Sequence, residues 1–73
     1  MSRITTKIVR KLAIEAGYVK ISRVERTGEE GYMWCNEHED EHFVEDFRLT
    51  FEDGTRTTVQ IWDCDGIEIR PQE

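Results

Sequence analysis

An α+β fold, with an N-terminal helix packed on a small antiparallel sheet of three to four strands, is the architecture this 73-residue sequence predicts. Three patterns predict it. Apolar residues recur at helical spacing over 4–17, they alternate with polar ones over 43–51 and 57–63, and an Asp-Gly pair separates the two alternating runs. A single domain, 1–73, is the natural count. A chain of this size buries only roughly 60% of its unfolded surface, enough for one thin core.

The helix is predicted from ITTKIVRKLAIEAG (4–17), where Ile4, Ile8, Val9, Leu12, Ala13 and Ala16 share one broad face. Arg3, Lys7, Arg10 and Lys11 cluster opposite, with Ile14 among them. Thr5 or Thr6 is placed to cap the start, and Gly17 to stop it. YVKISRVERT (18–27) alternates as a strand, with Val19 and Ile21 on one side, and TGEEG (27–31) reads as a turn. In FVEDFRLTF (43–51), Phe43, Phe47, Leu49 and Phe51 share one parity. Glu52-Asp53-Gly54-Thr55 marks a hairpin, because Asp-Gly tolerates the positive φ of tight turns. TTVQIWD (57–63) follows, with Val59 and Ile61 inward and Trp62 outward, then a turn at Asp65-Gly66 and a short strand through Ile67 and Ile69. Residues 28–42 show neither period and read as a long irregular loop, the kind of segment that carries function in a small domain.

The net charge of −6 is unevenly spread. Residues 1–27 hold seven basic and two acidic side chains, 28–54 hold one and ten, and 55–73 hold two and four. Such asymmetry points to electrostatic contact with a partner. No apolar run approaches the ~20 residues of a membrane helix, and no apolar signal core follows Met1. A cytoplasmic protein with reduced thiols is expected.

YMWCNEHEDEHF (32–43) is the stretch richest in chemistry. Cys35, His38 and His42, with Cys64, supply the ligand types of a tetrahedral zinc shell. Cys35-x2-His38 has a knuckle's spacing, but no second ligand lies close to Cys64 in sequence. On that spacing the expectation is no metal and no cofactor, with a zinc-stabilised module as the alternative. Nucleophilic catalysis is disfavoured, since dense carboxylates raise a thiol's pKa. Paired carboxylates are plentiful, yet nothing sets one apart, so no enzyme is expected. The stretch 10–24 has a faint helix-turn-helix look that its strand-like alternation contradicts, and the acidic whole disfavours sequence-specific nucleic-acid binding.

A macromolecular partner remains. Tyr32, Trp34 and Phe43 flank the acids Glu37, Glu39, Asp40 and Glu41, a combination typical of interface anchors beside steering charge. The basic helix face (Arg3, Lys7, Arg10, Lys11) and Ile14 form a second candidate contact. An acidic surface of this kind can also imitate nucleic acid and occupy a basic channel on a host defence enzyme.

Taken as a whole, the acidic chain with its ITTKIVRKLAIEAGY start and IWDCDGIEIRP tail resembles small bacteriophage regulators that bind host bacterial RNA polymerase. The resemblance implies a protein without enzymatic activity that attaches to the polymerase core subunits. It further implies interference with sigma-dependent initiation and an antitermination effect on the elongating enzyme.

Overall fold

A computed structural model describes residues 4–64 and 66–71, so Arg3 of the predicted basic face and Asp65 of the predicted turn lie outside the described residues. The chain runs α1 (Thr6–Glu15), β1 (Ile21–Cys35), β2 (Asp40–Phe51), β3 (Arg56–Asp63) and β4 (Ile67–Pro71). The four strands form one antiparallel meander in the order β1-β2-β3-β4. The α+β class and its N-terminal helix are as the sequence predicts. Among the described residues, no helix is long and apolar enough to cross a membrane.

Local chemistry sets the helix ends. The Thr5 hydroxyl accepts the Ile8 N–H at 3.2 Å. At the other end Gly17 sits at φ 105°, which lets its own N–H reach Ile14 O at 3.1 Å and the Tyr18 N–H reach Ala13 O at 3.0 Å. The chain then turns through Lys20 at φ 57°, so 18–20 is a connection rather than the start of a strand, and Val19 is exposed. At the β2–β3 hairpin the Asp53 carboxylate accepts both the Thr55 hydroxyl (2.6 Å) and its N–H (3.0 Å). These bonds hold Asp53 below the ordinary value of 3.8, so the turn is at full strength above that pH and weakens as acid protonates the carboxylate.

Residues 28–42 are not an irregular loop. They complete a 15-residue β1, a four-residue turn and the start of β2. A register shift between Arg26 and Glu30 explains why alternation is invisible there. Before the shift, Val24 and Arg26 lie on the helix side, and after it Glu30, Tyr32 and Trp34 do. The two extra residues keep parity but leave 27–29 outside the pairing register, and the helix side beyond them is exposed, so no buried period shows. The predicted TGEEG turn is this bulge.

The main core lies between α1 and one sheet face: Ile4, Val9 and Ala13 against Phe47, Leu49, Val59 and Ile61. One buried acid shares that face. Glu45, 4% exposed, pairs with Arg26, whose guanidinium also donates to Ile4 O and lies 5.2 Å from the Phe47 ring centre. Arg26→Ala would strand a buried carboxylate. Its expected cost in a urea melt is about 2–3 kcal/mol, the low end for a broken buried pair because Arg26 is half exposed. The double change Arg26→Met with Glu45→Leu should recover most of it.

At ~1.5 Å per residue the 10-residue helix covers only ~15 Å, whereas 12-residue β2 spans roughly 40 Å. The far half of the sheet therefore needs other cover. It has a second buried cluster, Cys35, Val44, Trp62 and Cys64, on the opposite sheet face. Trp62 is accordingly buried at 5% exposure, not outward as its parity relative to Val59 suggests.

Candidate metal centre

Strand register builds the site. Cys35 ends β1 and His42 lies near the start of β2 on the same face, one diagonal step away. His38 sits in the intervening turn, which needs the positive φ of Glu39 (50°) to close within four residues. Cys64 follows directly on β3, held by its N–H to Gly66 O at 2.8 Å. Residues 29 positions apart thus meet across the sheet, a proximity that a search for paired short spacings does not detect.

One ligand atom from each of the four residues lies within 4.8 Å of all the others. The two Sγ atoms are 3.5 Å apart, and His38 Nδ1 is 3.5 Å from Cys35 Sγ and 2.9 Å from Cys64 Sγ. A disulfide requires ~2.05 Å between sulfurs, so both thiols are free. With zinc–sulfur bonds of ~2.3 Å and zinc–nitrogen bonds of ~2.0–2.1 Å, tetrahedral edges are roughly 3.3–3.8 Å, close to this spacing. The His42 ring stands edge-on to His38, 5.4 Å between centroids. Its Nε2 is buried and has no hydrogen-bond partner among the described residues, a costly state for an imidazole nitrogen unless something binds it.

The electrostatics point the same way. Burial pushes the Cys35 thiol up, but the His38 N–H and ring, the Cys64 thiol and the Glu37 N–H outweigh it and bring it down to about 6. Burial, then the neighbouring Cys35, pushes Cys64 up to about 11. Two thiols in contact cannot both ionise without a cation. The Arg70 guanidinium, paired with Glu68 at 3.3 Å, lies 4.1 Å over the Trp62 ring and covers the cluster's flank. Two thiolates and two imidazoles fill a tetrahedral shell and leave no position for a reacting water, the arrangement of a structural centre.

The predicted contact residues divide by place. Glu37, Glu39, Asp40 and Glu41 are exposed around the candidate metal centre. Tyr32 (69% exposed) and Trp34 (58%) stand on the helix-side face beyond the reach of α1, and Tyr32 meets Phe43 edge-on at 5.7 Å. Phe43 itself packs against the main core, so it supports this surface more than it presents it. Lys7, Lys11 and Ile14 are exposed on α1, whereas Arg10 is drawn inward and donates to Ile21 O at 2.9 Å. The sheet does not bring the helix face and the metal end together. Over 27–46 and 60–71, ten described carboxylates stand against one arginine, Arg70.

Arg70 escaped the sequence reading as a site residue, as did the arginines at 23, 48 and 56. Arg48 and Arg56 are marked by parity opposite to the core residues of their strands, whereas a register shift after Ile21 hides Arg23. No family model matches the chain, and neither does any curated protein or solved structure.

Proposed function

We propose that this protein is a non-enzymatic, zinc-stabilised binding module that attaches to the core subunits of bacterial RNA polymerase and regulates transcription. One observation carries the zinc-stabilised part: Cys35, His38, His42 and Cys64 converge, with a buried imidazole nitrogen left unpartnered. The metal holds the acidic end in shape. The polymerase part is supported by the resemblance of the whole chain and by the surface this end presents. Tyr32 and Trp34 supply rigid apolar area, and the acids at 37 and 39–41 supply steering charge.

Retention of polymerase subunits from bacterial lysate by the tagged, zinc-loaded protein tests the partner. Trp34→Ala should weaken retention by about tenfold or more, as loss of an interface anchor costs on the order of 2 kcal/mol. Reversing Glu39, Asp40 and Glu41 to Lys should weaken it further and remove its salt dependence. Failure to retain polymerase at low salt ends the polymerase reading while leaving the metal centre untouched. The dense carboxylates of this end support a second reading, imitation of nucleic acid toward a host defence enzyme. Capture of a nuclease in place of polymerase would favour it.

A further inference from the structure

The sheet face opposite α1 carries, at its helix-covered end, a feature that neither the metal centre nor the acidic surface uses. Register places Arg23 of β1, Thr50 of β2 and Arg56 of β3 in one row, with Glu25, Arg48 and Thr58 in the next. Arg23, Arg48 and Arg56 are all exposed. Together with Ser22, Glu25 and Thr50 they line a shallow depression of about 430 Å³. Among the described residues Arg48 and Arg56 make no ion pair, and Arg23 has only a 3.9 Å approach to Glu25 with both side chains in water. In a chain of net charge −6, three guanidiniums therefore stand in two adjacent rows whose one carboxylate is Glu25, with Asp46 in the row beyond.

We propose that Arg23, Arg48 and Arg56 form a phosphate-binding site that holds the phosphodiester backbone of a nucleic acid. Adjacent strands lie ~4.8 Å apart and alternate residues ~6.7 Å apart along a strand, so the three side chains root within ~10 Å of one another. From there they reach the oxygens of one phosphate or of two in succession. All three are arginines, whose planar fork of donors matches phosphate oxygens, and the hydroxyls of Ser22 and Thr50 add further donors. The face has no apolar floor of the kind that anchors a protein segment, which argues for a backbone over an acidic peptide. Most of the ten carboxylates, those of 29–41 foremost, lie toward the far end of a molecule 39 Å long, while Asp46 stands one row from Arg48. They orient the molecule on the polyanion, acidic end outward. A shallow depression on a sheet face presents no element that enters a groove, so the guanidiniums meet phosphates rather than base edges and the binding is independent of sequence.

Fluorescence anisotropy of the zinc-loaded protein with a short labelled DNA duplex tests this. Binding is expected at about 50 mM salt and should fall steeply as salt rises. Arg48→Gln with Arg56→Gln should weaken it at least tenfold and flatten the log–log salt slope by about 2, near 0.9 per lost phosphate contact. Glu25→Gln should tighten it about two- to threefold, a gain that general loss of structure would not produce. Lys7→Gln with Lys11→Gln, on the other side of the sheet, should move it far less. An unchanged melting temperature in the arginine variant shows that the fold survives. Three results would overturn the proposal: no binding at low salt, binding unaltered by the arginine changes, or competition by polyglutamate as effective as by unlabelled DNA of equal charge.

Discussion

Chelation of zinc from the purified protein is expected to lower its melting temperature on the order of 20 °C, the largest effect any single treatment should have. A metal that binds only the folded chain, at a thousandfold over its Kd, stabilises by about 4 kcal/mol, and in a domain of this size each kcal/mol moves the midpoint by about 4–8 °C. The physical reason is the gap in the fold. The helix stops short of the far half of the sheet, where the buried cluster of Cys35, Val44, Trp62 and Cys64 is too small to hold strands together unaided. Without the ion, the His42 Nε2 stays desolvated and unpartnered and two buried thiols compete for one charge. Cys64→Ser should reproduce the chelated state, and so should His42→Ala. Trp62, buried beside the cluster, makes the event visible: its emission should shift to the red on chelation and return with one equivalent of zinc. Cobalt in place of zinc should give the visible absorption of a tetrahedral thiolate site. If the protein purifies with well under one metal per chain and chelator leaves both melting and Trp62 emission unmoved, the four side chains are only neighbours.

How much of this was legible depended on whether the signal was local. The helix, its Gly17 stop, the strand through Phe47 and Leu49 and the Asp53-Gly54 hairpin are written in short-range periodicity and turn chemistry. The second half of β1 was not, because the bulge at 27–29 interrupts the pairing and the strand beyond it is exposed on both sides, which disguises a strand as a loop. Trp62 was misplaced for a related reason. Alternation says which residues share a face, but one buried face was assumed where the sheet has two, one at each end. The candidate metal centre sits between these cases. Its four ligands were named from residue type, yet their spacing argued against them, since Cys64 has no neighbour of its own in sequence. Its partner is supplied by register across three strands, information that no window of sequence contains.

The second large effect belongs to the other core. Phe47 is fully buried at the centre of β2, opposite Val59 on one side and Arg26 on the other. Phe47→Ala should cost about 3–5 kcal/mol, the usual range for emptying an aromatic site in a core that can only partly collapse. At ~0.05–0.15 kcal/mol per residue, the whole domain holds roughly 4–11 kcal/mol, so the variant should sit near its unfolding midpoint unless zinc is present in excess. Val44→Ala, in the metal-end cluster, removes less volume from a site the ion already braces and should cost about 1–2 kcal/mol when zinc is bound. Phe47 and the two cysteines belong to separate clusters on opposite faces of the sheet, so their effects should add. Additive effects do not mean separate melting, however. β2 and β3 run unbroken through both clusters, and the backbone ladder that joins Phe47 to Val59 is the same one that joins Val44 to Trp62. One cooperative transition is therefore expected in both the zinc-loaded parent and the zinc-loaded Phe47→Ala protein, read by far-ultraviolet circular dichroism and by Trp62 emission together. Two separated transitions, with Trp62 melting apart from the helix, would show that the ion holds an independent half-sheet rather than completing a single core.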